Sequence, residues 1–425
     1  MKKKEKRVLF LRILLGVLIV CNMAAIFLFS SQSGTKSDAV SQKVTGVVAQ
    51  TLAKDYDEKS AEEQDAILQQ MHKPIRKLAH MLEFGALSAL VFFFLLTWQG
   101  KILWHYAASL GFAFVYAGVD EFHQLFREDR GARLSDVFID FAGAFIACTL
   151  LLTIVVLVRR SKRLVTTHYD LPIMPNGKPL RIGLVADLHS CPHEHLIERL
   201  RAEAPEVILL AGDVMEDTDL ADERASGYAF LRACAEIAPT YYSFGNHETV
   251  GIGRKGLRRV LDIIEEIRPR IAKTGVTFLH NESVIWNGIR ICGLTSGLTQ
   301  TQNFPNSAVL SEFAAAEEFR ILLCHHPEYY EPYIRKTSIE LTVSGHAHGG
   351  QWRFFGRGVY APGQGILPKH TAGVIDNRFV ISRGTGDHTR IPRIANPREL
   401  VIIRCGEKIS NQDNKRKGEI KNGSC

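Results

Sequence analysis

The amino-acid sequence predicts two unlike parts, an α-helical membrane region with four spans followed by an α/β domain. Long apolar runs flanked by basic residues fill the first part of the chain. A helix of about 20 apolar residues is long enough to cross a bilayer. In the remainder, short apolar runs alternate with amphipathic segments, which is typical of strands alternating with helices. A chain of 425 residues has room for two or three domains.

The formal net charge of +7 is partly concentrated in the basic clusters Lys2–Arg7, Arg159–Arg163 and Lys415–Lys417. Basic residues beside apolar segments usually set membrane topology. They are therefore weak support for nucleic-acid binding, and no nucleic-acid partner is expected. The eight Cys form no Cys-x-x-Cys pair. This argues against a disulfide framework and against a Cys-rich zinc site.

Four apolar stretches predict membrane helices: Val8–Ser30, His80–Trp98, Ile102–Gly118 and Val137–Val158. The first could also be a signal peptide, but the later spans favour a retained helix. A shorter helix is predicted over Ala61–Met71, in the segment 31–77. The positive-inside rule places Lys2–Arg7 in the cytoplasm, and four crossings return Arg159–Arg163 to the same side. We therefore expect a multi-pass protein of the cell membrane, in contact with the lipid bilayer, with its C-terminal domain in the cytoplasm.

Polar residues of this region fall at the outer ends of the predicted helices, and they are His80, Glu83, Asp120, Glu121, Gln124, Arg130 and Asp136. His80 and Glu83 are three residues apart and share a helix face, as do Asp136 and Asp140 at a spacing of four. Charges at membrane depth are costly and usually face a bundle interior or water. These residues either lie solvated in the headgroup zone or line a polar pocket at the outer leaflet.

Short motifs of this region occur in a recognisable order: Ser30-Ser31-Gln32-Ser33-Gly34, Lys77-x-x-His80-x-x-Glu83-Phe84, Asp120-Glu121-x-x-Gln124-x-Phe126, Arg130, and Asp136 followed by Gly143. On these residues, the domain predicted over residues 1–158 resembles the VanZ-like membrane proteins. That family is named for a link to glycopeptide resistance, and the resemblance implies no molecular activity. Asp140 departs from the pattern, in which Asn is expected.

Residues 159–178 have the composition of a basic linker, and residues 406–425 are polar, lack periodicity and are expected to be disordered. Between them, five apolar runs predict buried strands: Leu180–Ala186, Val207–Ala211, Thr240–Phe244, Phe319–Cys324 and Ile339–Val343. Each run is followed at once or within a few residues by candidate metal ligands: Asp187 and His189, Asp213, Asn246, His325, and His346 with His348. Ligands in α/β sheets gather at the carboxyl ends of strands. Five such coincidences point to one site.

The candidate ligands offer oxygen and imidazole but no thiolate, a set that suits Mn, Fe or Zn and argues against a structural zinc site. They are too many for one ion. A shared carboxylate suits two divalent metal ions about 3.5–4 Å apart, which clamp both oxygens of a phosphoryl transfer. A bridging water loses its proton readily there and becomes the nucleophile as hydroxide. A His that binds no metal would protonate the leaving group or hold the phosphate.

The motifs Asp187-x-His189, Gly212-Asp213, Gly245-Asn246-His247-Glu248, a lone His and Gly345-His346-x-His348 are similar in kind and order to those of the calcineurin-like metallophosphoesterases. The subgroup ending in Gly-His-x-His-Gly-Gly-Gln is the most similar. The resemblance implies a four-layer sandwich over residues 179–405, with two mixed sheets flanked by helices. It also implies roles: Asp187, His189 and His348 on the first metal, Asp213 bridging, Asn246, His325 and His346 on the second, and His247 as the substrate-facing acid.

Two residue assignments stay open at this point. His325 and His326 are adjacent, and only one should be a ligand; His325 is favoured because it is the first His after the strand. Arg383 lies in a Gly-rich segment and is either a phosphate contact or an ordinary surface Arg.

The first functional hypothesis is a membrane-anchored di-metal phosphoesterase that hydrolyses a phosphomonoester or phosphodiester. A lipid-linked molecule or an envelope precursor is the candidate substrate. The alternative assigns the main function to the VanZ-like region, as a binding or resistance protein regulated by the phosphoesterase domain. The intact ligand set favours the first.

Overall fold

The structure is a computed structural model, and it describes residues 3–31, 42, 44–51, 53, 55–126, 133–253, 257–296, 305–387 and 391–406. The chain divides into two compact units, Met1–Val156 and Leu157–Cys425. Each unit is described by itself. Arg130 and the tail from residue 407 lie outside the described residues, as does most of the polar segment that follows Ser31.

The first unit consists of long apolar helices: α1 (Lys3–Ser30), α2 (Ala61–Leu96), α3 (Ile102–Gln124) and α4 (Leu134–Ser161). All four are long and apolar enough to cross a membrane. The prediction of four spans is confirmed, and the chain is a multi-pass membrane protein. Gly143 of α4 packs against α2 so closely that a Cβ on it would lie 2.1 Å from the carbonyl oxygen of Met81.

Helix α2 differs from its prediction, because the short helix expected over Ala61–Met71 and the span expected to begin at His80 form one helix of 36 residues. Ser60 starts it with a capping box, in which the Ser60 hydroxyl accepts from the Glu63 N–H and the Glu63 carboxylate accepts from the Ser60 N–H. Pro74 lies inside the helix without ending it. The sequence predicts two helices here because the residues around Pro74 are polar and interrupt the apolar pattern. They contain no other signal that would end a helix.

The second unit contains two six-stranded sheets. The first sheet has the order β1-β16-β2-β3-β4-β5 and the second has the order β14-β15-β9-β8-β7-β6. The strands of the first sheet are β1 (Leu164–Leu171), β2 (Leu180–Val185), β3 (Val207–Ala211), β4 (Thr240–Ser243), β5 (Thr277–Phe278) and β16 (Arg398–Cys405). Those of the second are β6 (Glu282–Trp286), β7 (Ile289–Leu294), β8 (Phe319–Cys324), β9 (Leu341–Ser344), β14 (Gly373–Ile375) and β15 (Phe379–Ile381). Two small hairpins join β10 (Arg353–Phe354) to β11 (Arg357–Gly358) and β12 (Tyr360–Ala361) to β13 (Gly365–Ile366).

Both sheets are mixed, because β16 runs antiparallel to β2 and β6 runs antiparallel to β7 while most other neighbours are parallel. The helices of this unit are α5 (Glu194–Glu203), α6 (Ser226–Ala235), α7 (Asn246–Gly253), α8 (Leu257–Ala272) and α9 (Ser307–Ala314).

Alternate residues of the strands face different cores, as the period of two in a strand requires. Leu209 of β3 and Leu323 of β8 belong to one apolar cluster between the sheets. Their neighbours point the other way: Leu210 packs in a cluster with α5, α6 and α8, and Leu322 packs in a cluster with α9. The layers are therefore helix, sheet, sheet and helix, which confirms the expected four-layer sandwich.

The linker expected over residues 159–178 is wrong for Leu164–Leu171, which forms β1. This strand pairs in parallel with β16 over its full length. The segment contains Val165, Thr166, Thr167 and Tyr169, all of which favour strands. Its polar composition and the turn residues that follow it are typical of a linker. The strand is missed because β16, with which it pairs, lies more than 200 residues away in the sequence.

We expect β1 to contribute to the stability and solubility of the second unit when that unit is produced without the membrane helices. Leu171 is buried in the cluster between the sheets, and burying a Leu side chain contributes about 2 kcal/mol. A chain starting at residue 172 should therefore melt about 5 °C below one starting at residue 162. It should also aggregate more, because β16 becomes an open edge. Thermal unfolding and gel filtration of the two chains test this, and equal melting temperatures would contradict it.

Candidate metal centre

The carboxyl ends of strands from both sheets converge on one site. The first sheet supplies Asp187 and His189 after β2, Asp213 after β3 and Asn246 after β4. The second sheet supplies His325 after β8, and His346 and His348 after β9.

Among the described residues, four groups of three side chains are compact enough to hold a metal ion. Two of these groups consist of predicted ligands alone, and the other two contain Glu216 or Glu328. The first group is Asp187, His189 and His348, and the second is Asp213, His325 and His346. Within each group the ligand atoms lie within 4.8 Å of one another. This grouping coincides with the division into two metals that the family resemblance implies. The roles of individual residues stay predictions.

Asp213 belongs to the second group and also lies close to the first. Its Oδ2 is 3.0 Å from Nε2 of His325 and 4.0 Å from Nε2 of His189. Only 1% of its surface is exposed. An oxygen in this position can contact ions on both sides, which is the geometry required of a bridging ligand.

The donor atoms fit divalent cations. The side-chain oxygen Oδ1 of Asn246 is buried, and no donor among the described residues bonds to it. Nδ1 of His325 lies 2.7 Å from the carbonyl oxygen of Ala211. Donating a proton to that oxygen would leave Nε2 as the metal-binding atom, an orientation common among metal-ligating His.

The charge state of the two His after β9 also suits metal binding. Burial, aided by the charge of Arg393 and opposed by Asp187, lowers the pKa of His348 to about 4. Burial and neighbouring imidazoles hold the pKa of His346 well below its usual range. Both rings are therefore neutral at physiological pH, as ligation requires.

His247 is placed differently, at the half-exposed edge of the site. Its ring stands edge-on to His189 at 4.4 Å, and its Nδ1 lies 3.0 Å from Glu216. Burial opposes a charge on this ring, but the hydrogen bond to Glu216 and the charge of Asp213 outweigh it and raise the pKa of His247 to about 9. The ring is therefore protonated near neutral pH and can give up a proton.

Glu216 was missed in the sequence and joins two functional side chains. Its carboxylate lies 2.9 Å from Nδ1 of His189 and 3.0 Å from Nδ1 of His247. Burial opposes its ionisation, but these two hydrogen bonds lower the pKa of Glu216 to about 2. In the sequence, only its position three residues after Asp213 marks Glu216. That position alone does not distinguish it from an ordinary acidic residue in a loop.

Glu216→Gln should lower kcat/KM by about 10- to 100-fold, the effect typical of losing a group that orients a metal-bound His. The amide has one oxygen acceptor where the carboxylate has two, so it cannot accept from Nδ1 of both rings through separate oxygens. The measurement is kcat/KM together with the Mn²⁺ concentration that gives half-maximal activity. Glu223→Gln is the matched control, since Glu223 pairs only with the exposed Lys273 in the described part of the chain. Equal loss in both variants would contradict the assignment.

Glu248 shapes the backbone around Asp213. Its buried carboxylate accepts from the backbone N–H groups of Asp213, Val214, Met215 and Gly245 at 2.6–3.1 Å. The motif Gly-Asn-His-Glu contains this residue, but nothing in its spacing predicts the structural role.

Glycines allow the loops to approach each other. A Cβ on Gly245 would lie 2.2 Å from Oδ1 of Asp213, and a Cβ on Gly345 would lie 2.7 Å from Oδ2 of Asp187. No larger residue fits at either position without moving a candidate ligand.

The adjacent His325 and His326 separate clearly. His325 groups with Asp213, as described above. His326 has its Nδ1 3.0 Å from Glu328 and its ring stacked on Tyr329. His326, Glu328 and His346 also lie within 4.8 Å by their ligand atoms, so the choice of His325 stays a prediction that the geometry favours.

Two arginines lie near the site with different partners. Arg383 pairs with the buried Glu399 at 2.8 Å, and its part in phosphate binding stays a prediction. Arg393 was missed in the sequence, where no motif marks it. It is buried, and its guanidinium lies 3.1 Å from Nδ1 of His348 and donates to the carbonyl oxygen of Gly386.

The membrane unit brings most of its predicted polar cluster together. Asp120 accepts hydrogen bonds from Ser30 and Gln124, and Glu121 accepts from the backbone N–H of Arg133. His80 lies 3.6 Å from Glu83. Asp136 lines a cavity of about 350 Å³ with His80, Glu121 and Gln124. Arg130 lies outside the described residues.

Comparisons with known proteins agree with this architecture. Residues 15–157 match the family model VanZ/LLP1, and residues 180–350 match the model calcineurin-like phosphoesterase. The chain is 27% identical over 262 residues to the uncharacterized protein YpbG of Bacillus subtilis, covering 58% of this chain and 89% of YpbG.

Two further relatives carry names that describe an activity. An uncharacterized metallophosphoesterase of Campylobacter jejuni is 25% identical over 252 residues, which cover 55% of this chain and 61% of that protein. The phosphodiesterase YaeI of Escherichia coli is 30% identical over 190 residues, covering 42% of this chain and 64% of YaeI. Less than two thirds of each of these two proteins is therefore matched. The chain joins a VanZ/LLP1 domain at residues 15–157 to a calcineurin-like metallophosphoesterase domain at residues 180–350.

Proposed function

We propose that this chain is a membrane-anchored phosphoesterase with two divalent metal ions, Mn, Fe or Zn, in its C-terminal domain. The observation that carries the proposal is the pair of neighbouring three-residue groups, in which Asp213 of the second group also lies close to His189 of the first. One site would be formed by Asp187, His189 and His348, and the other by Asn246, His325 and His346. Ions bound there would neutralise phosphate charge and activate a water molecule.

The residues of the chain would divide the remaining work. Asp213 fixes the spacing of the two sites, and Glu248 fixes Asp213 through the backbone. Glu216 orients His189 and His247 together. Protonated His247, at the open edge of the site, would donate its proton to the leaving oxygen.

Two features bear on the substrate. YaeI is named a phosphodiesterase, which favours a diester over a monoester. The four spans keep the domain at a membrane, and this favours a lipid-linked or envelope-precursor phosphate ester. We propose the cytoplasmic face for the domain, because the basic residues Lys2–Arg7 and Arg159–Arg163 flank the first and last spans.

The direct test is hydrolysis of bis-p-nitrophenyl phosphate and p-nitrophenyl phosphate by the full-length protein in detergent. We expect turnover with Mn²⁺, loss after chelation and recovery on adding Mn²⁺ back. Absence of turnover with every divalent cation tried would overturn the proposal for these substrate classes. Reporter fusions at Arg163 test the side of the membrane, and an extracytoplasmic signal would overturn the cytoplasmic assignment.

A further inference from the structure

The cavity of about 350 Å³ in the membrane unit takes no part in the proposed hydrolysis. Three helices line it: α2 through residues 73–80, α3 through residues 121–124 and α4 through its first residues. Its volume lies within the range of small-molecule binding sites, about 300–1,000 Å³. The α2 helix changes at this level from a charged segment to the apolar run that follows His80. The cavity therefore lies where a lipid headgroup would meet a membrane span.

The most exposed charged residues of the cavity are bases and the most buried are acids, with Arg76, His80 and Asp136 half-buried between them. Lys73, Lys77 and Arg133 are exposed at its rim. Asp140 is 3% exposed and lines the interior. Asp140 forms no side-chain hydrogen bond or ion pair within the described part of the chain. A buried, charged carboxylate without a partner is costly, and a cationic ligand would supply that partner.

The two lysines of the rim and the two aspartates of α4 do not neutralise each other. Within the described ranges, neither Lys73 nor Lys77 forms an ion pair with an acid, and neither Asp136 nor Asp140 forms one with a base. A simple anion would meet the interior carboxylates, and a simple cation would meet the rim bases. A ligand with a positive group and a negative group satisfies both layers.

A bare metal ion fits this cavity poorly. Compact groups of three metal-binding side chains, as far as the described residues extend, all lie in the second unit. Asp136, Asp140 and Glu121 line the cavity without forming such a group. Spaced carboxylates suit an organic ammonium group, which is larger than a metal ion and offers several donors.

We propose that this cavity binds the zwitterionic headgroup of an aminoalkyl phospholipid. The phosphate would contact Lys73, Lys77 and Arg133 at the rim, and the ammonium group would pair with Asp140 inside. The acyl chains would follow the apolar surface of α2. The phosphate and the ammonium group thus match the exposed bases and the buried acids of the cavity. The acyl chains match the apolar run of α2 that begins beside it.

The test uses the full-length protein in detergent and calorimetric titration with short-chain lipids. Dihexanoyl phosphatidylethanolamine carries both charges, dihexanoyl phosphatidylglycerol lacks the ammonium group, and a dihexanoyl trimethylammonium lipid lacks the phosphate. We expect the first to bind about tenfold more tightly than either of the others, since each loses a charge-assisted contact. Free phosphoethanolamine should bind more weakly than the lipid, and equal affinity would overturn the assignment to a lipid.

Two variants locate the contacts. Asp140→Asn should abolish the preference for phosphatidylethanolamine over phosphatidylglycerol, whereas Lys73→Gln with Lys77→Gln should weaken both lipids. The lysines are exposed, so that variant remains informative if Asp140→Asn fails to fold. Asp65→Asn, on an exposed part of α2 outside the cavity, is the matched control. Equal affinity for all three lipids, or unchanged affinity in the lysine variant, would overturn the proposal.

Discussion

Asp213→Asn is expected to lower kcat/KM for phosphodiester hydrolysis by about three orders of magnitude, which corresponds to about 4 kcal/mol of transition-state stabilisation. Oδ2 of Asp213 lies between His189 and His325 and is almost fully buried. An amide keeps the shape but removes the negative charge that both metal sites share. The backbone around residue 213 should survive, because Glu248 holds it through N–H groups that the substitution leaves in place.

The measurement is kcat/KM of the full-length variant in detergent with saturating Mn²⁺. Asp222→Asn is the matched control, because Asp222 is exposed and pairs with Arg224 on the surface. The control should retain full activity. Near-normal turnover by Asp213→Asn would show that residue 213 does not bridge the metals.

Metal removal is expected to lower the melting temperature of the catalytic unit by about 10 °C. A ligand at about 1,000 times its dissociation constant stabilises a protein by about 4 kcal/mol, and for a unit of this size that shift is on the order of 10 °C. The local structure explains why the ions matter. Asp187, His189, Asp213, His346 and His348 all have positive φ, from 46° to 64°.

Such a conformation costs a non-glycine residue about 1–3 kcal/mol unless its surroundings hold it. Ions bound to these side chains would help to hold them. Thermal unfolding with excess Mn²⁺ and after chelation measures the difference, and Asp213→Asn should show a much smaller one. Identical melting curves with and without chelator would contradict metal binding at these loops.

Most of the candidate site is predictable from the sequence, because the patterns that mark its residues are local. Each candidate ligand follows an apolar run, and the end of a strand is predictable from that run alone. The alternation of residues such as Leu209 and Leu210 between two cores also follows from a period of two. These features need no knowledge of distant partners.

The missed features depend on contacts between distant residues. Strand β1 owes its place to β16, more than 200 residues later. Arg393 reaches His348 from a loop without a motif. Glu216 can orient His189 and His247 only because the fold brings both rings within hydrogen-bond distance of its carboxylate. Such side chains become recognisable when folding brings their partners together.

The candidate ligands come from two separate sheets, so the distance between the sheets affects the metal site. Metal ions held by Asp213 of one sheet and His325 of the other would cross-link the halves of the sandwich. The spacing of those halves is set by core residues such as Leu209 and Val343, which lie between the sheets. Conservative changes in that apolar layer should therefore tune metal preference and substrate selectivity remotely, by altering the distance between the two sets of donors.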